Sequence, residues 1–453
     1  MASESIQAYV EKARAAQKIL ETYDQKKVDA IVKMFARVIF DNAEPLARMA
    51  TDETRMGVYE DKIKKNQGKA RIIWNHLKDK KSIGILQYIE EEGILEVAKP
   101  MGVVGAVTPC TNPIVTPMCN AMFAVKGKNA IIIAPHPRGK KCAMRIKMLY
   151  DAELISMGVP TDIFMVIEEP TIDLTAELMK AVDVVIATGG MGMVKAAYSS
   201  GKPSFGVGAG NVQCIIDKNY DLSVCVPKII AGRIFDNGII CSGEQTAIAH
   251  KSDFDAMIAE FKKNGAYIVT EKDEIDRLRI ALFPNGIINK DSVGQSILKI
   301  AQMADINIPE QTRLMVVMPD KYGADELFVK EKMCPVIAAY KYDTWREGVD
   351  IALANLNVEG KGHSVSIHSD EKGNVEYAME ILPVSRIIVN QICSTMNGGS
   401  FVNGLGPTTT LGCGSWGNNS ISENLSYKHL INISRIAYVI PGASQPSDEE
   451  IWG

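Results

Sequence analysis

The sequence lacks the features of membrane, secreted and nucleic-acid-binding proteins. No apolar run approaches the ~18 residues of a membrane span, and Met1 to Ala15 carry alternating charges where a signal peptide would be apolar. Basic side chains number 50 and acidic ones 54, so the net charge is −4 and no basic excess favours nucleic acid. We therefore expect a soluble, cytoplasmic protein with no membrane and no nucleic-acid partner.

Cysteine is present without the spacing that metal sites and disulfide frameworks need. The nine cysteines show no C-x-x-C pair and no regular interval, which predicts reduced thiols and no bound metal. Hydrophobic residues make up 46% and charged residues 23% of the chain, as in ordinary globular proteins. At 453 residues the chain is about three times the ~150 residues of one domain, so two or three domains are expected.

The amino-terminal part predicts helices followed by a hairpin. Apolar residues at spacings of three and four indicate amphipathic helices over Ile6–Leu20, with Ser3 or Ser5 as N-cap, and over Val28–Ile39. Within Ser82–Pro100, two apolar stretches flank an acidic turn, which predicts a long β-hairpin. A hairpin that protrudes from a helical region often pairs with another subunit.

Short apolar strands alternate with helical stretches over the rest of the chain. This alternation is typical of βαβ units, so we predict an α/β fold with a parallel, doubly wound sheet. A second α/β series begins near residue 245, the domain boundary falls near 232–240, and a last strand is expected at Ile431–Val439. The other predicted elements are strands over Val103–Val107, Ile131–Ala134, Ile163–Ile167, Val182–Ala187, Gln245–Ala249, Leu314–Met318 and Ile387–Asn390, and helices over Cys142–Leu154 and Leu174–Met179.

Cys241 lies in a segment that suits a thiolate nucleophile, F-D-N-G-I-I-C-S-G-E-Q. Glycines and small polar residues around a cysteine between a helix and a strand favour an exposed, partly ionised thiol in a cleft. The alternative is a buried structural thiol. Five other cysteines are expected in apolar strands or helices and fit that structural role better, namely Cys110, Cys119, Cys214, Cys225 and Cys334.

Asn112 follows the first predicted strand of the α/β region, in the segment T-P-C-T-N-P. Ligands bind at strand ends in open α/β sheets, and an Asn amide held there is a donor that can stabilise an oxyanion. Taken alone, Asn-Pro is most often a turn. His363, in G-H-S, is by itself more often a structural residue than a catalyst.

Two glycine-rich turns are candidates for close contact with a dinucleotide. Thr188, Gly189 and Gly190 follow a predicted strand and lead into a helix, so the backbone can approach a pyrophosphate that faces helix N–H groups. This turn is not a G-x-G-x-x-G motif. The run from Gly206 to Asn211 is either a tight turn or a close backbone approach to a ligand.

Taken in order, eight motifs give the chain a specific resemblance to the aldehyde dehydrogenase superfamily, and within it to the CoA-acylating branch. They cover nearly the whole chain and are similar to the acylating domain of bifunctional aldehyde-alcohol dehydrogenases. Within that branch the chain looks most similar to enzymes that act on succinate semialdehyde. The motifs are TPCTNP, APHPRGK, ATGGMGMVKAAYSSGKP, GVGAGN, FDNGIICSGEQ, KEKMCPV, GHS and TLGCGSWGNNSISEN.

The resemblance implies an aldehyde dehydrogenase-like α/β fold with three parts. A Rossmann-type dinucleotide-binding domain comprises residues 1–81 and 101–234, and an α/β catalytic domain comprises 235–425. A small β oligomerisation element comprises residues 82–100 and 426–445. We expect the protein to form a homodimer or tetramer through this element, because leaving its apolar faces in water would cost free energy.

The resemblance also assigns roles to single residues. Cys241 becomes the nucleophile, and Asn112 with the backbone N–H of Cys241 forms the oxyanion hole. Arg386 and Ser242 are assigned to the substrate, although residues similar to Arg386 occur in family members that use acetaldehyde. His363 is assigned to deprotonation of the CoA thiol. The residues assigned to the cofactor are Thr188, Gly189, Gly190, Gly208, Pro135, His136, Arg138 and Glu331, the last holding a ribose hydroxyl.

One departure from the wider superfamily indicates the reaction type. Hydrolytic members have a Glu in an E-L-G-G-K motif that activates water, and the matching run here is Gly206 to Gly210, with no such base. An acyl group on Cys241 should therefore resist water and pass to an external thiol, CoA. The expected reaction is aldehyde + CoA + NAD(P)+ = acyl-CoA + NAD(P)H, with succinate semialdehyde as the preferred aldehyde.

Other functions and cofactor choices stay open at this point. Acetaldehyde, propionaldehyde or sulfoacetaldehyde are alternative substrates, and a catalytically silent scaffold subunit is the alternative from another class, against which Cys241 and Asn112 argue. No acid follows the strand that ends before Pro135, and Arg138 is one of three cations there, so NADP should be accepted as well as NAD. The alternative is that these cations form a solvated helix start.

Overall fold

The computed structural model describes residues 5–453. Ser5 caps the first helix, because its hydroxyl accepts a 3.3 Å hydrogen bond from the N–H of Ala8; Ser3 lies outside the described residues. In chain order the α-helices are α1 (Ile6–Leu20), α2 (Gln25–Asp41), α3 (Ala43–Thr54), α4 (Tyr59–Leu77), α5 (Val115–Lys126), α6 (Lys140–Ser156), α7 (Ile172–Ala181), α8 (Met191–Tyr198), α9 (Leu222–Ile234), α10 (Lys251–Lys263), α11 (Lys272–Leu282), α12 (Ile297–Met303), α13 (Trp345–Val358), α14 (Lys372–Ile381), α15 (Cys393–Met396) and α16 (Asp448–Trp452).

Within residues 5–453 the strands form a five-stranded, a seven-stranded and a three-stranded sheet. In chain order the strands are β1 (Gly84–Ile89), β2 (Ile94–Pro100), β3 (Val103–Thr108), β4 (Ala130–Pro135), β5 (Phe164–Val166), β6 (Val184–Thr188), β7 (Ser204–Val207), β8 (Gln213–Ile216), β9 (Thr246–His250), β10 (Ala266–Val269), β11 (Leu314–Val317), β12 (Val336–Tyr342), β13 (Val365–His368), β14 (Ile387–Val389) and β15 (Ile431–Ala437).

The five-stranded sheet has the order β5-β4-β3-β6-β7, and every neighbouring pair is parallel. Its central strands are buried along their whole length because helices cover both faces. In β3, Val104 and Ala106 join the core under α2, α4, α5 and α6, whereas Val103 and Val107 join the core under α1 and α7. The doubly wound parallel sheet predicted from the sequence is confirmed.

The seven-stranded sheet has the order β10-β11-β12-β9-β8-β13-β14 and is also parallel. It includes β8, which pairs with β9 and β13, and α9 packs against its core. The predicted boundary at residues 234/235 is therefore wrong, and the chain passes between the sheets at residues 208–212. An apolar strand such as β8 carries no local mark of the sheet that it joins, because membership depends on distant partners.

The three-stranded sheet has the order β1-β2-β15 and is antiparallel. It confirms the predicted hairpin, whose turn contains Gly93 at φ 63°, and the last strand ends at Ala437, two residues before the predicted end. Tyr88 and Ile436 are about half exposed, at 51% and 47%. No helix within residues 5–453 is both long and apolar enough to cross a membrane, and the assignment to the cytoplasm stays a prediction.

Candidate active site

The loop that carries Cys241 begins with a turn directly after α9. Asp236, Asn237 and Gly238 have φ values of 52°, 54° and 72°, in a region of backbone conformation that residues other than glycine rarely adopt. The buried Asp236 carboxylate holds this turn, since it accepts hydrogen bonds from the N–H of Val58 at 2.8 Å and from Lys62 Nζ at 3.1 Å. Backbone strain persists where surrounding contacts impose it, and functional sites are common places for it.

Cys241 lies in the wall of a cavity of about 420 Å³. Asn112 and Ser242 line the same cavity, so the structure brings these three predicted site residues together. The Ser242 hydroxyl donates a 3.1 Å hydrogen bond to the carbonyl oxygen of Ser394 and is therefore engaged within the protein. Phe401 and Val402, both exposed, belong to the loop that forms another part of the cavity wall.

Asn112 lies at the carboxyl end of β3, where the topology of a parallel sheet places ligands. Its backbone carbonyl accepts a hydrogen bond from the N–H of Thr116 at the start of α5. The side-chain Oδ1 is buried without a hydrogen-bond partner among residues 5–453. This oxygen can only accept a hydrogen bond, so the donor toward an oxyanion in the cavity would be Nδ2 of the same amide.

The Cys241 thiol is half-buried. Burial, followed by the charges of Glu331 and Cys413, raises its pKa to about 12, whereas the charge of Arg386 acts in the opposite direction. This environment does not favour the partly ionised thiol expected from the sequence, and the role of Cys241 as nucleophile stays a prediction. Of the five cysteines predicted to lie in strands or helices, Cys119, Cys214 and Cys225 do so, whereas Cys110 and Cys334 lie in loops.

The glycine run after β7 passes directly behind Cys241. A Cβ atom at Gly210 would collide with the carbonyl oxygen of Cys241, so the close approach made here is to the backbone of Cys241, and contact of this run with a ligand stays a prediction. The N–H of Gly210 donates a 3.2 Å hydrogen bond to Oε1 of Glu331. Gly208 lines a second cavity of about 240 Å³, together with Met191 and Cys413.

Gly206, the position matched to the water-activating Glu of hydrolytic relatives, faces α8. A Cβ atom there would lie 2.8 Å from Val194 Cγ1 and 3.1 Å from Tyr198 Cε2. The neighbouring Val207 belongs to the cluster that packs against Cys241. A side chain at position 206 would therefore meet a helix before it reached the thiol.

The carboxyl edge of the five-stranded sheet fits a dinucleotide at its centre. Thr188 ends β6, with Oγ1 3.3 Å from Thr410 Oγ1, and Gly190 is the N-cap of α8, whose first N–H groups have no partner within the helix. A Cβ atom at Gly208 would collide with Met191 Sδ, whereas one at Gly190 would meet open space. Free N–H groups at a helix start suit a pyrophosphate, and the contact of Thr188, Gly189, Gly190 and Gly208 with a dinucleotide stays a prediction.

Pro135, His136 and Arg138 lie where β4 leads into α6. Pro135 ends the strand, and His136 and Arg138 are exposed in the following turn. One guanidinium nitrogen of Arg138 donates a 2.6 Å hydrogen bond to the carbonyl oxygen of Thr54. The adjacent Glu53 caps α6, since its carboxylate accepts from the N–H groups of Lys141 and Cys142 at 2.8 Å each. An acid thus does lie near this helix start, although it comes from α3.

The role of His363 as the base for the CoA thiol stays a prediction. Its side chain is fully buried and lines neither of the two cavities, and Nδ1 lies 3.0 Å from Ser364 Oγ. Burial and the nearby charge of Arg386 lower the pKa of His363 to about 3. Neither observation favours a base, which must reach the proton that it removes.

The predicted pairing of Arg386 with a substrate carboxylate has no support in the geometry. Its guanidinium donates to Asn424 Oδ1 at 2.8 Å and to the carbonyl oxygens of His363 at 2.9 Å and Gly412 at 2.6 Å. Among residues 5–453, those that line the cavity around Cys241 do not include Arg386. Its sequence neighbours carry no signal of this burial.

A cavity cation that the sequence did not reveal is Lys69, in the fourth helix. Lys69 Nζ donates hydrogen bonds to the carbonyl oxygens of Gly398 at 2.9 Å and Thr408 at 3.2 Å, and the side chain lines the cavity of Cys241. Burial lowers its pKa to about 8, so it is mostly charged at pH 7. Lysines are frequent on helices, and only the tertiary structure distinguishes this one.

Fold and site together define a class: an α/β protein with two parallel sheets and with Cys241 in the wall of a cavity. Residues 1–278 match the aldehyde dehydrogenase family, and the chain belongs to that family. Over 449 residues it is 53% identical to the succinate-semialdehyde dehydrogenase (acetylating) of Clostridium kluyveri, with 99% of both chains covered. It is an enzyme of the CoA-acylating branch, as the resemblance implied.

Two solved structures show the same architecture. The acetylating aldehyde dehydrogenase from Geobacillus thermoglucosidasius superimposes with a TM-score of 0.93 at 38% identity, covering 97% of this chain and 98% of that one. A propionaldehyde dehydrogenase of Rhodopseudomonas palustris with bound propionyl-CoA gives 0.87 at 25% identity, covering 97% and 95%. The predicted aldehyde dehydrogenase-like fold is confirmed.

Proposed function

We propose that Cys241 attacks the aldehyde carbonyl and that the product leaves as an acyl-CoA. The observation that carries this proposal is the shared cavity of Cys241 and Asn112. In the attack a C–S bond forms, and negative charge grows on the carbonyl oxygen, where the Asn112 amide and the Cys241 N–H act as donors. The proton of the thiol ends on that oxygen, which gives a neutral thiohemiacetal on Cys241.

When bound, NAD(P)+ would accept the hydride from the former aldehyde carbon while the hydroxyl proton passes to solvent water, which leaves a thioester on Cys241. The CoA thiol then attacks the thioester carbon, the bond from that carbon to Cys241 Sγ breaks, and Cys241 takes up the proton that CoA releases. Water competes poorly, because no Asp or Glu side chain among residues 5–453 lines the cavity around Cys241, so none there can activate water as a base.

The aldehyde that fits this cavity best carries a negative charge, and succinate semialdehyde is the proposed substrate. Three lysines of α4 line the cavity, but Lys64 pairs with Asp61 at 3.2 Å and Lys65 pairs with Asp236. Lys69 has no carboxylate partner within the described chain, and its two carbonyl contacts leave one of three N–H groups for a ligand.

The anionic alternative, sulfoacetaldehyde, would use the same cation of the cavity. Acetaldehyde and propionaldehyde have no charge to pair with Lys69 and are the less favoured candidates. The succinate-semialdehyde enzyme of Clostridium kluyveri, with its 53% identity, supports the order proposed here. Substrate choice thus rests on one cation whose role a variant can test.

NADP is proposed as a cofactor that the enzyme accepts alongside NAD. Arg138 is exposed where β4 leads into α6, and its single hydrogen bond to Thr54 leaves further N–H groups for a 2′-phosphate. Glu53 occupies the N–H groups at the start of α6, so the guanidinium would have to supply the attraction. Equal NADP and NAD efficiency in both the wild type and Arg138→Ala would remove Arg138 from the site.

The three-stranded sheet is proposed as the contact of a homodimer or tetramer. Its hairpin and β15 expose apolar side chains, among them Tyr88, Ile436 and Tyr438, that water solvates poorly. Light scattering at micromolar concentration should report more than one chain per particle. A monomer under these conditions contradicts the proposed contact.

The experiment that tests the reaction measures NAD(P)H formation with and without CoA across succinate semialdehyde, sulfoacetaldehyde, propionaldehyde and acetaldehyde. Turnover should require CoA and be most efficient with succinate semialdehyde. Cys241→Ala should abolish turnover in both directions and still bind cofactor, whereas Cys110→Ala, the matched half-buried cysteine, should remain active. Turnover of the Cys241 variant above about a hundredth of the wild-type rate would refute the nucleophile.

A further inference from the structure

The Arg386 guanidinium is a buried cation without a carboxylate partner among residues 5–453. The residue is 4% exposed, and its hydrogen-bond acceptors are the neutral oxygens of Asn424, His363 and Gly412. Its Nε has no hydrogen-bond partner within the described chain. A buried charge without a counter-ion costs stability, so this position is a candidate for a functional role.

The guanidinium is connected through one hydrogen-bonded segment to the thiol that the proposed reaction uses. Gly412, whose carbonyl oxygen it binds, stands between Leu411 and Cys413, and both of these pack in the cluster that contacts Cys241. Burial raises the pKa of Cys241, and among the neighbouring charges that of Arg386 lowers it. The same residue therefore holds the segment behind the sulfur and supplies a positive charge near it.

We propose that Arg386 is a positioning residue for the reaction of Cys241, because it holds a fixed positive charge behind the sulfur. The proposal rests on the proposed function in taking Cys241 as the nucleophile. Negative charge gathers on this sulfur twice, when the thiol loses its proton before it attacks the aldehyde and when CoA displaces the sulfur from the thioester. A charge already clamped by three hydrogen bonds needs no reorientation in either step.

Other groups around Cys241 act differently from Arg386. The charges of Glu331 and Cys413 raise the pKa of Cys241. The pKa of Cys393 is in turn raised by the charge of Cys241 and lowered by that of Arg386. Lys69 is the second cation whose charge interacts with that of Cys241. It lines the cavity, where the carboxylate of a bound substrate would neutralise it. Arg386 lies outside the cavity wall and keeps its charge when substrate is bound.

The test is the pH dependence of Cys241 alkylation by iodoacetamide, a neutral reagent. Mass spectrometry of the Cys241 peptide separates this reaction from the eight remaining cysteines. Arg386→Met should move the alkylation profile to higher pH, and the rate at pH 8 should fall about tenfold if the pKa of Cys241 rises by about one. Arg386→Lys keeps the charge with fewer hydrogen bonds and should restore most of the rate.

Asn424→Ala is the control for a merely structural role. It removes one hydrogen bond of the guanidinium without changing any charge, and its alkylation profile should match the wild type. The proposal is overturned if Arg386→Lys is as slow as Arg386→Met, or if Arg386→Met alkylates normally. If Arg386→Met fails to fold, the alkylation rates of Arg386→Lys and Asn424→Ala are compared. A loss of rate in Arg386→Lys without a loss in Asn424→Ala also overturns the proposal. Alkylation does not depend on turnover, so failure of the nucleophile in the Cys241→Ala assay is a separate result.

Discussion

Replacing Lys69 by Gln should remove the preference for an anionic aldehyde. The change removes a charge from the cavity wall but keeps a donor for the carbonyl oxygens of Gly398 and Thr408. A lysine and a carboxylate about 4 Å apart attract by about 4 kcal/mol at an effective dielectric constant of 20. Desolvation reduces the net value to the roughly 1.5–3 kcal/mol of a hydrogen bond to a charged group. The expected loss in kcat/KM for succinate semialdehyde is therefore about 10- to 150-fold.

The assay compares succinate semialdehyde with butyraldehyde, an uncharged aldehyde with the same number of carbons. CoA-dependent NAD(P)H formation gives kcat/KM for both, and only the value for succinate semialdehyde should fall in Lys69→Gln. Lys64→Gln is the matched control, because Lys64 also lines the cavity but is 70% exposed and paired with Asp61. An exposed pair contributes about 0–1 kcal/mol, so this control should change little.

Two results would refute the reasoning about Lys69. An equal loss for both aldehydes would mean that the substitution damages the site in general and does not act through charge. An unchanged kcat/KM for succinate semialdehyde would mean that the carboxylate binds elsewhere. In either case the proposed substrate class would lose its structural support.

Three further outcomes are expected. The ratio of kcat/KM for succinate semialdehyde to that for butyraldehyde should fall above about pH 8. Burial lowers the pKa of Lys69 to about 8, and the neutral amine no longer attracts a carboxylate. A ratio that stays flat to about pH 9.5 contradicts this expectation. Asp236→Asn should lower the free energy of unfolding in urea by about 3–5 kcal/mol, since two lysines lose their buried counter-ion, whereas Asp41→Asn in an exposed pair should change it by less than about 1 kcal/mol. Gly206→Glu should lower the melting temperature without creating a hydrolase, because its Cβ would crowd Tyr198; CoA-independent acid formation by a folded variant argues against that geometry.

Features set by neighbours in the chain were predictable from the sequence. The alternation of apolar strands and helices follows from local side-chain periodicity, so the doubly wound sheet and the hairpin over Ser82–Pro100 were predicted with small errors in their bounds. Cys241 could be selected because small residues surround it in one continuous segment. Asn112 could be selected because it follows a strand directly, and ligands meet sheets at strand ends.

Features set by contacts across the chain were decided by the tertiary structure alone. The strand β8 pairs with β9 and β13 although its local sequence resembles the preceding strands, so the predicted boundary was about twenty residues late. His363 and Arg386 stand in motifs that suggest chemistry, and both are buried by segments far away in sequence.

Charge in the cavity depends on the same kind of distant contact. Lys64, Lys65 and Lys69 follow one another on a single helix. Asp61, one turn before Lys64 on the same helix, neutralises Lys64, and this pair is visible in the sequence spacing. Asp236 neutralises Lys65, while Lys69 meets only the carbonyl oxygens of a loop more than three hundred residues away, and the sequence offers no reason to separate these two lysines. The sequence by itself determined which elements form and where a nucleophile can stand, because these depend on short-range geometry. Which cation stays free to bind a substrate depends on partners that only the folded chain brings within a few ångströms, since the ion pairs that neutralise a charge act over such short distances.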